Sequence, residues 1–493
     1  MDFHQEILDQ ITDNKRHCNI TNSDKSYGDF STPQDLLFYE KETNTMNQKS
    51  ENYWLLDAPV SKAIWHMAIP MMLGMSVNII YNITDTFFIG SLNDTAALAA
   101  ISLLLPFTTI LMAIGNLFGT GGSTLFSRLL GSENTDKTRQ CSATTLWLSF
   151  IFGLLAAVIS VIFSNSITRL LGADTNTFAY VRQYLIFYGI GAPFIVANFT
   201  LEQLIRGDGE SVESMIGMMI SVGVNIVLDP ILMFGFHLGI RGAAIATVLG
   251  NTAAVTYYIV CIWRSGNQLS TLPKYFRLEK QMLKEIFSVG LSAMLLDILL
   301  IVSSLMFNYY ALKYGDYVLA GFGISQKLVQ IVDLIGMGLY MGVIPLIAVA
   351  YGAGNKLRMN EIIKKTTIYL ALVITCLFVI LFTCRNFIIH CFSNDSDVIH
   401  IGAYILTVQL CSSFFAAGAG LLTGIFQAKG EGTPAVIMSV MRGLILIPAI
   451  IFGNYFFKVN GVIFSLLVAE AISCITGFIL YEVGNKKSSK RLE

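Results

Sequence analysis

Apolar residues run along this chain in twelve long stretches separated by short polar connections. They lie at roughly 59–90, 95–126, 140–164, 178–201, 212–234, 241–263, 284–311, 316–350, 366–390, 400–426, 434–457 and 461–481. Each supplies the ~20 residues that a helix needs to cross a bilayer. In lipid the backbone must satisfy its hydrogen bonds within the segment, so the stretches are read as helices. The pattern predicts an all-α polytopic membrane protein of twelve spans.

A few polar residues break that background. Asn225 and Asp229 stand four apart in the fifth stretch and so project from one helix face. A carboxylate at that depth costs roughly 2.5–3.5 kcal/mol on insertion scales and marks a functional site by default. Pro230 follows and has no N–H to give the Ile226 carbonyl, which predicts a bend with a free acceptor beside the acid. In the first stretch Pro70 precedes Asn78, Asn82 and Asp85, whose spacings of four and three make one polar stripe. Such a stripe must face protein or a water-filled cavity. Glu202 near Arg206 reads as a loop ion pair. Asp297, Asp333 and Glu470, with Lys327 and Arg442, read either as structural ion pairs or as a second coupling site.

The pattern also repeats. Arg206–Glu210 (RGDGE) returns 221 residues later at Gln427–Glu431 (QAKGE). At the same offset Gly115 matches Gly336, Gly121 matches Gly342, Gly131 matches Gly352 and Asn134 matches Asn355; Gly242 then matches Gly461 after one deletion. Six spans per half is an even number, so the halves share one orientation and form parallel repeats, a transporter architecture. The divisions expected are an arm at 1–55, bundles at 56–263 and 284–482, a linker at 264–283 and a tail at 483–493. The repeat keeps the glycines but not the polar chemistry. Asp85, Asn225, Asp229 and Thr247 correspond to Met306, Leu446, Ile450 and Leu466, which assigns the polar site to the first half.

Composition sharpens the class. Apolar residues make up 54% and charged residues 13% of the chain, against about 25% charged in soluble domains. The net charge of −1 decides nothing, but its distribution does. With both termini inside, the short inner loops carry fourteen Lys and Arg; the outer connections carry six, at Arg169, Arg182, Arg241, Lys313, Arg385 and Lys458. That asymmetry predicts cytoplasmic termini, with the first ~55 residues a disordered cytoplasmic arm. The eight cysteines show no metal-ligand spacing and read as small buried apolar residues. Gly119–Ser123 looks like a phosphate loop, yet no Lys follows and no strand precedes it, so its small residues are read as packing contacts.

These motifs resemble the multidrug and toxic compound extrusion (MATE) transporters, and more closely their DinF-like and MepA-like branch. The residues that carry the resemblance are Asp85-Thr-Phe-Phe-Ile-Gly, GGSTLFSRLLG at 121–131, RGDGE at 206–210, NIVLDP at 225–230 and GIRGAAIAT at 239–247. It covers roughly residues 59–482. The resemblance implies two six-helix bundles around a V-shaped cavity and an antiporter that exports organic, often cationic or amphipathic, compounds in exchange for H⁺ or Na⁺. It implies an ion site at Asp85, Asn225, Asp229 and Thr247, and a helix 1 bend at Pro70. Two carboxylates in a poorly solvated pocket cannot both ionise easily, so the pair binds a proton or is neutralised by Na⁺ at Asp85 and Asp229.

The expectations that follow are a monomer in the plasma membrane with small organic substrates and lipids as partners. No nucleic acid, enzymatic activity or cofactor beyond the coupling ion is expected. The rival reading is a lipid-linked oligosaccharide flippase of related plan. It calls for several basic groups in the cavity, where the spans hold only Lys327 and Arg442.

Overall fold

The computed structural model describes residues 53–91, 94–265 and 268–489; the expectation for the N-terminal arm lies outside them except at 53–55, which are helical with Leu55 fully buried, because Leu55 packs over Gly209. Fourteen α-helices follow one another: α1 Val60–Gly90, α2 Thr95–Gly131, α3 Thr135–Ile162, α4 Ser164–Leu170, α5 Phe178–Ile190, α6 Ala192–Gly207, α7 Ser211–Pro230, α8 Ile240–Ser265, α9 Lys280–Leu312, α10 Asp316–Gly352, α11 Lys356–His390, α12 Ser396–Lys429, α13 Gly432–Leu444 and α14 Leu446–Ser489. Nine membrane-crossing helices are found by length and apolarity among the described residues, ten when α5 and α6 count as one bent span. The remaining two of the twelve come from α1 and from a reversal inside α14. The protein is thus an all-α polytopic membrane protein of two six-helix bundles. Large apolar side chains such as Leu154, Leu155, Leu372 and Val379 point outward, as a lipid-facing surface requires.

Local chemistry explains where the helices start and stop. Asp94 caps α2 by accepting from the Ala96 and Ala97 amides at 2.9 and 3.2 Å. The Tyr180 hydroxyl donates to the same carboxylate at 2.6 Å and, with those amides, holds it below the usual carboxylate range. Asn134 caps α3 through the Lys137 amide, and Asn355 caps α11 through the Arg358 amide. One repeated asparagine is therefore a repeated helix start. The RGDGE and QAKGE copies are repeated helix ends: Gly209 (φ +98°) and Gly430 (φ +75°) take the left-handed conformation after α6 and α12.

Three details depart from the expected spans. The fourth is broken at Gly191, where α5 and α6 meet at 57°. An extra short helix, α4, follows the third. The run 432–486 carries a break between α13 and α14, although its turn back at Lys458 (φ 53°, ψ −131°) falls in the expected connection; there the Gly453 and Gly461 backbones pack against each other. His237, 221 residues earlier, also has positive φ, at 54°. Both hairpins thus turn on a non-glycine residue in strained backbone, a conformation that costs on the order of 1–3 kcal/mol. Lys458 is exposed. Lys458→Gly is therefore expected to stabilise the purified protein by about 1 kcal/mol, read as a higher thermal midpoint. A lowered midpoint would show that the lysine side chain holds the turn.

The two bundles meet along α1, α2, α9 and α10. A methyl at Gly121 would overlap the Ile286 carbonyl, one at Gly290 the Leu117 carbonyl, one at Gly131 the Val349 carbonyl and one at Gly352 the Arg128 carbonyl. Gly338 and Gly342 abut the backbone of Met72 and Met67 in the same way. All of these lie in the half of each helix nearest the face that carries both chain ends, here termed the terminal face. Above them Met71, Met75 and Met218 pack with Leu334, Met337 and Met341. The cysteines differ from expectation: Cys141 is buried, but Cys376, Cys384 and Cys391 are exposed, because they lie on the outward face of α11 and just beyond it.

Candidate functional site

The fifth span brings Asn225 and Asp229 onto one buried face of α7, with relative exposures of 2% and 0%. At Pro230 the α-helix gives way to a π-turn over Ile231–Gly235, so the expected disturbance appears as a widened turn. Helix α8 lies close against α7 because Gly250 has no side chain: a Cβ there would fall 2.5 Å from the Ser221 carbonyl oxygen. That approach sets Thr247 opposite Asn225. The amide satisfies all its neighbours when its nitrogen donates to Asp229 Oδ2 at 3.1 Å. Its oxygen then accepts from the Thr247 hydroxyl and backbone amide, both at 3.2 Å. The Thr247 hydroxyl also stands 3.0 Å from the Ala243 carbonyl.

The polar chain extends beyond the residues expected. Asn251, one turn after Thr247, donates to the Thr247 carbonyl at 2.8 Å and accepts from Asn198 of α6 at 2.9 Å. Its four-residue spacing from Thr247 is the sequence signal that could have found it. Among the described residues Asn198 Oδ1 has no hydrogen-bond partner. The arrangement gathers hard oxygen atoms of a carboxylate, an amide and a hydroxyl, the donor set that suits a proton or a small hard cation.

Asn78, Asn82 and Asp85 lie in the second half of α1, which runs unbroken through Pro70. Their side chains are outside the described ones. Helix α1 packs against α7, where a Cβ on Gly74 would fall 3.0 Å from the Met218 sulfur.

The corresponding region of the second bundle is dry. Leu446 and Ile450 are buried in one apolar cluster with Phe307, Phe322 and Val462, and Met306 and Leu466 pack against it. All four counterparts of the first-half polar residues thus meet in a single cluster.

The second-half acids do not form the expected set of ion pairs. Glu470 does pair with Arg442, through Nε and Nη2 at 3.2 Å each. Asp333 instead accepts from Ser413 at 2.7 Å, and Asp297 from Asn116 of the first bundle at 2.8 Å. Lys327 is exposed, and no ion pair among the described residues includes it, Asp297 or Asp333. Neutral donors occupy the positions where counter-charges were expected. The Asp297 contact continues through Asn116 to Gln203 and on to Thr120, at 2.8 Å per step, and so crosses the seam between bundles. Glu202 and Arg206 pair at 3.4 Å, as expected, but are buried rather than in a loop, because α6 carries both into the packed end of the bundle.

The MatE family model matches residues 70–231 and again residues 293–452, so the two halves match it separately. The chain is 39% identical to the multidrug export protein MepA of Staphylococcus aureus (strain MSSA476) over 428 residues, covering 87% of this chain and 95% of that protein. It is 38% identical to the MepA of Staphylococcus haemolyticus (strain JCSC1435) over 435 residues, covering 88% and 96%. A solved structure described as the outward-facing conformation of a multidrug resistance MATE family transporter of the MOP superfamily superposes with a TM-score of 0.83. Its identity is 22%, and the match covers 88% of this chain and 98% of that one.

Proposed function

The chain belongs to the MatE family, and from that premise we propose that it is a multidrug exporter that exchanges organic substrates for H⁺ or Na⁺ by alternating access of its two bundles. The name shared by its relatives supports the substrate class. The observation that carries the ion coupling is the buried group of Asn225, Asp229 and Thr247, set against a dry counterpart in the second half.

Asp85 completes the proposed site. Helices α1 and α7 both start at the terminal face. Gly74 stands opposite Met218, and eleven residues further along each helix come Asp85 and Asp229. Eleven residues are about three full turns, so the two positions lie at one level of the adjoining helices. The pseudo-symmetry points the same way, since Met306 and Ile450, their counterparts, share one cluster. A proton or Na⁺ bound there biases the equilibrium between the two open states only through a difference in affinity between them. Asp297 and Asp333 are proposed as structural members of the second bundle, each held by a neutral donor. The methionines at the seam (Met71, Met75, Met337 and Met341) suit adaptable substrate contacts. On the positive-inside argument the terminal face is proposed to be cytoplasmic; the membrane is proposed to be the plasma membrane and the working unit a monomer.

The test is transport of a cationic dye by purified protein in vesicles with an imposed H⁺ or Na⁺ gradient. Dye should accumulate against its own gradient with one ion and stop when that gradient is dissipated. Equal flux with neither gradient would sink antiport.

A further inference from the structure

We infer that Arg128 is the clamp that holds the bundles together at the terminal face, and that Glu285 and the end of α12 are its seat. The inference rests on the alternating-access reading and names a residue that sets its balance. Arg128 lies on α2 of the first bundle, in the GGSTLFSRLLG stretch. Its Nη2 reaches Glu285 of α9 at 3.1 Å. Its Nη1 stands 3.3 Å from the carbonyls of both Gln427 and Ala428, the last turn of α12. The Gln427 carbonyl also accepts from the Gly430 amide at 3.0 Å, but carbonyls at a helix end keep spare acceptor capacity and carry the negative end of the helix dipole, so a guanidinium there is a charge-assisted cap. Gly430 leaves room for it: a Cβ at that left-handed residue would fall 2.8 Å from the guanidinium carbon. One side chain thus joins one helix of the first bundle to two of the second. Its planar fork presents separate nitrogens to the carboxylate and to the helix end, a spread that a compact ammonium lacks.

The clamp is one-sided. Adding 221 to Arg128 gives Val349, and subtracting it from Gly430 gives Gly209, which is covered by Leu55. At that opposite edge Arg358 of α11 donates to the carbonyls of Ala58 and Leu55 at 2.9 and 3.3 Å, and Asp57 and Glu361 stand near it without closing an ion pair among the described residues. Each bundle therefore reaches across with an arginine onto backbone carbonyls of the other, but among the described residues only Arg128 closes an ion pair between the bundles. Parting the bundles returns the Arg128 and Glu285 charges to water, whereas the Leu55 edge must expose apolar surface. The geometry makes the Arg128 edge a polar latch that can release into water, and the Leu55 edge an apolar contact beside it.

The test places a reporter cysteine at Ser123, which lines the small cavity between the bundles beside Arg206 and Gln427, in a background without native cysteines. Vesicles of known orientation receive a membrane-impermeant maleimide on the terminal face. Arg128→Ala should raise the labelling rate about tenfold, and Arg128→Lys and Glu285→Gln each by less, with thermal midpoints near the parent's. Unchanged labelling in Arg128→Ala at a parent-like midpoint overturns the clamp. If Arg128→Ala does not fold, Glu285→Gln decides by the same criterion, since it removes one charge and keeps its shape. Labelling needs no transport, so a failure of antiport would leave this readout intact.

Discussion

Vesicles carrying the Asp229→Asn protein are expected to show no gradient-driven efflux, with dye movement reduced to passive leak. The carboxylate is fully buried, and its neighbours are the Asn225 amide nitrogen and, one residue further, the Thr247 hydroxyl. An amide in its place has the same shape but can neither bind a proton at working pH nor carry the negative charge that would hold Na⁺. The site loses its differential affinity for the ion, and without that difference no gradient shifts the bundles. Expression and thermal midpoint should stay near the parent's because the substitution is isosteric. Asp297→Asn and Asp333→Asn should each retain most coupled transport, since Asn116 and Ser413 can pair with an amide as well as with an acid. Coupled transport by folded Asp229→Asn protein, or its loss in Asp333→Asn alone, would move the site to the second bundle.

Gly290→Ala should be nearly as damaging, for a different reason. A single methyl at this position overlaps the Leu117 carbonyl of α2, and backbone cannot step aside as a side-chain tip can. Overpacking costs roughly 1–3 kcal/mol in a well-packed core, and each 1.4 kcal/mol is a tenfold change in a two-state balance. The terminal-face seam should therefore spend most of its time apart, and coupled efflux should fall by more than tenfold. Gly223 of α7 has nothing within 4 Å of its Cβ position, so Gly223→Ala serves as the harmless control. Parent-level transport by Gly290→Ala would show that the cycle does not depend on this approach of α2 and α9.

Much of this was legible in the sequence because its causes are local or periodic. Long apolar runs leave a backbone in lipid no alternative to helix, so the span count followed. The polar face of Asn225 and Asp229 followed from a spacing of four, and their union with Thr247 in space is what the structure adds. The breaks were less legible. The fourth span kinks at Gly191, where Gly189 and Pro193 supply a helix-breaking signal inside an apolar run that otherwise reads as continuous. The turn at Lys458 uses a residue with no preference for positive φ, held there by the close packing of Gly453 and Gly461. The second-half acids were misread because charge counts suggest partners of opposite sign. Asp297 found its partner 181 residues away in the other bundle, and a neutral one. Spacing along a helix carries no information about such a contact.

The glycine contacts at the seam have a symmetry of their own. Gly131 meets Val349 while Gly352 meets Arg128, and Val349 is the residue that corresponds to Arg128. Residue i of one half touches j of the other, and j touches i, which is the signature of an isologous twofold interface. The halves are thus joined as two identical subunits of a homodimer would be joined. A chain of half this length carries the same seam surface and could meet a copy of itself through it. What a true twofold forbids is a difference between the partners. Only after the subunits became one chain could position 128 hold an arginine while 349 holds a valine, or one half keep an acid where the other keeps Ile450. Fusion, on this view, is what permitted a symmetric scaffold to divide its labour.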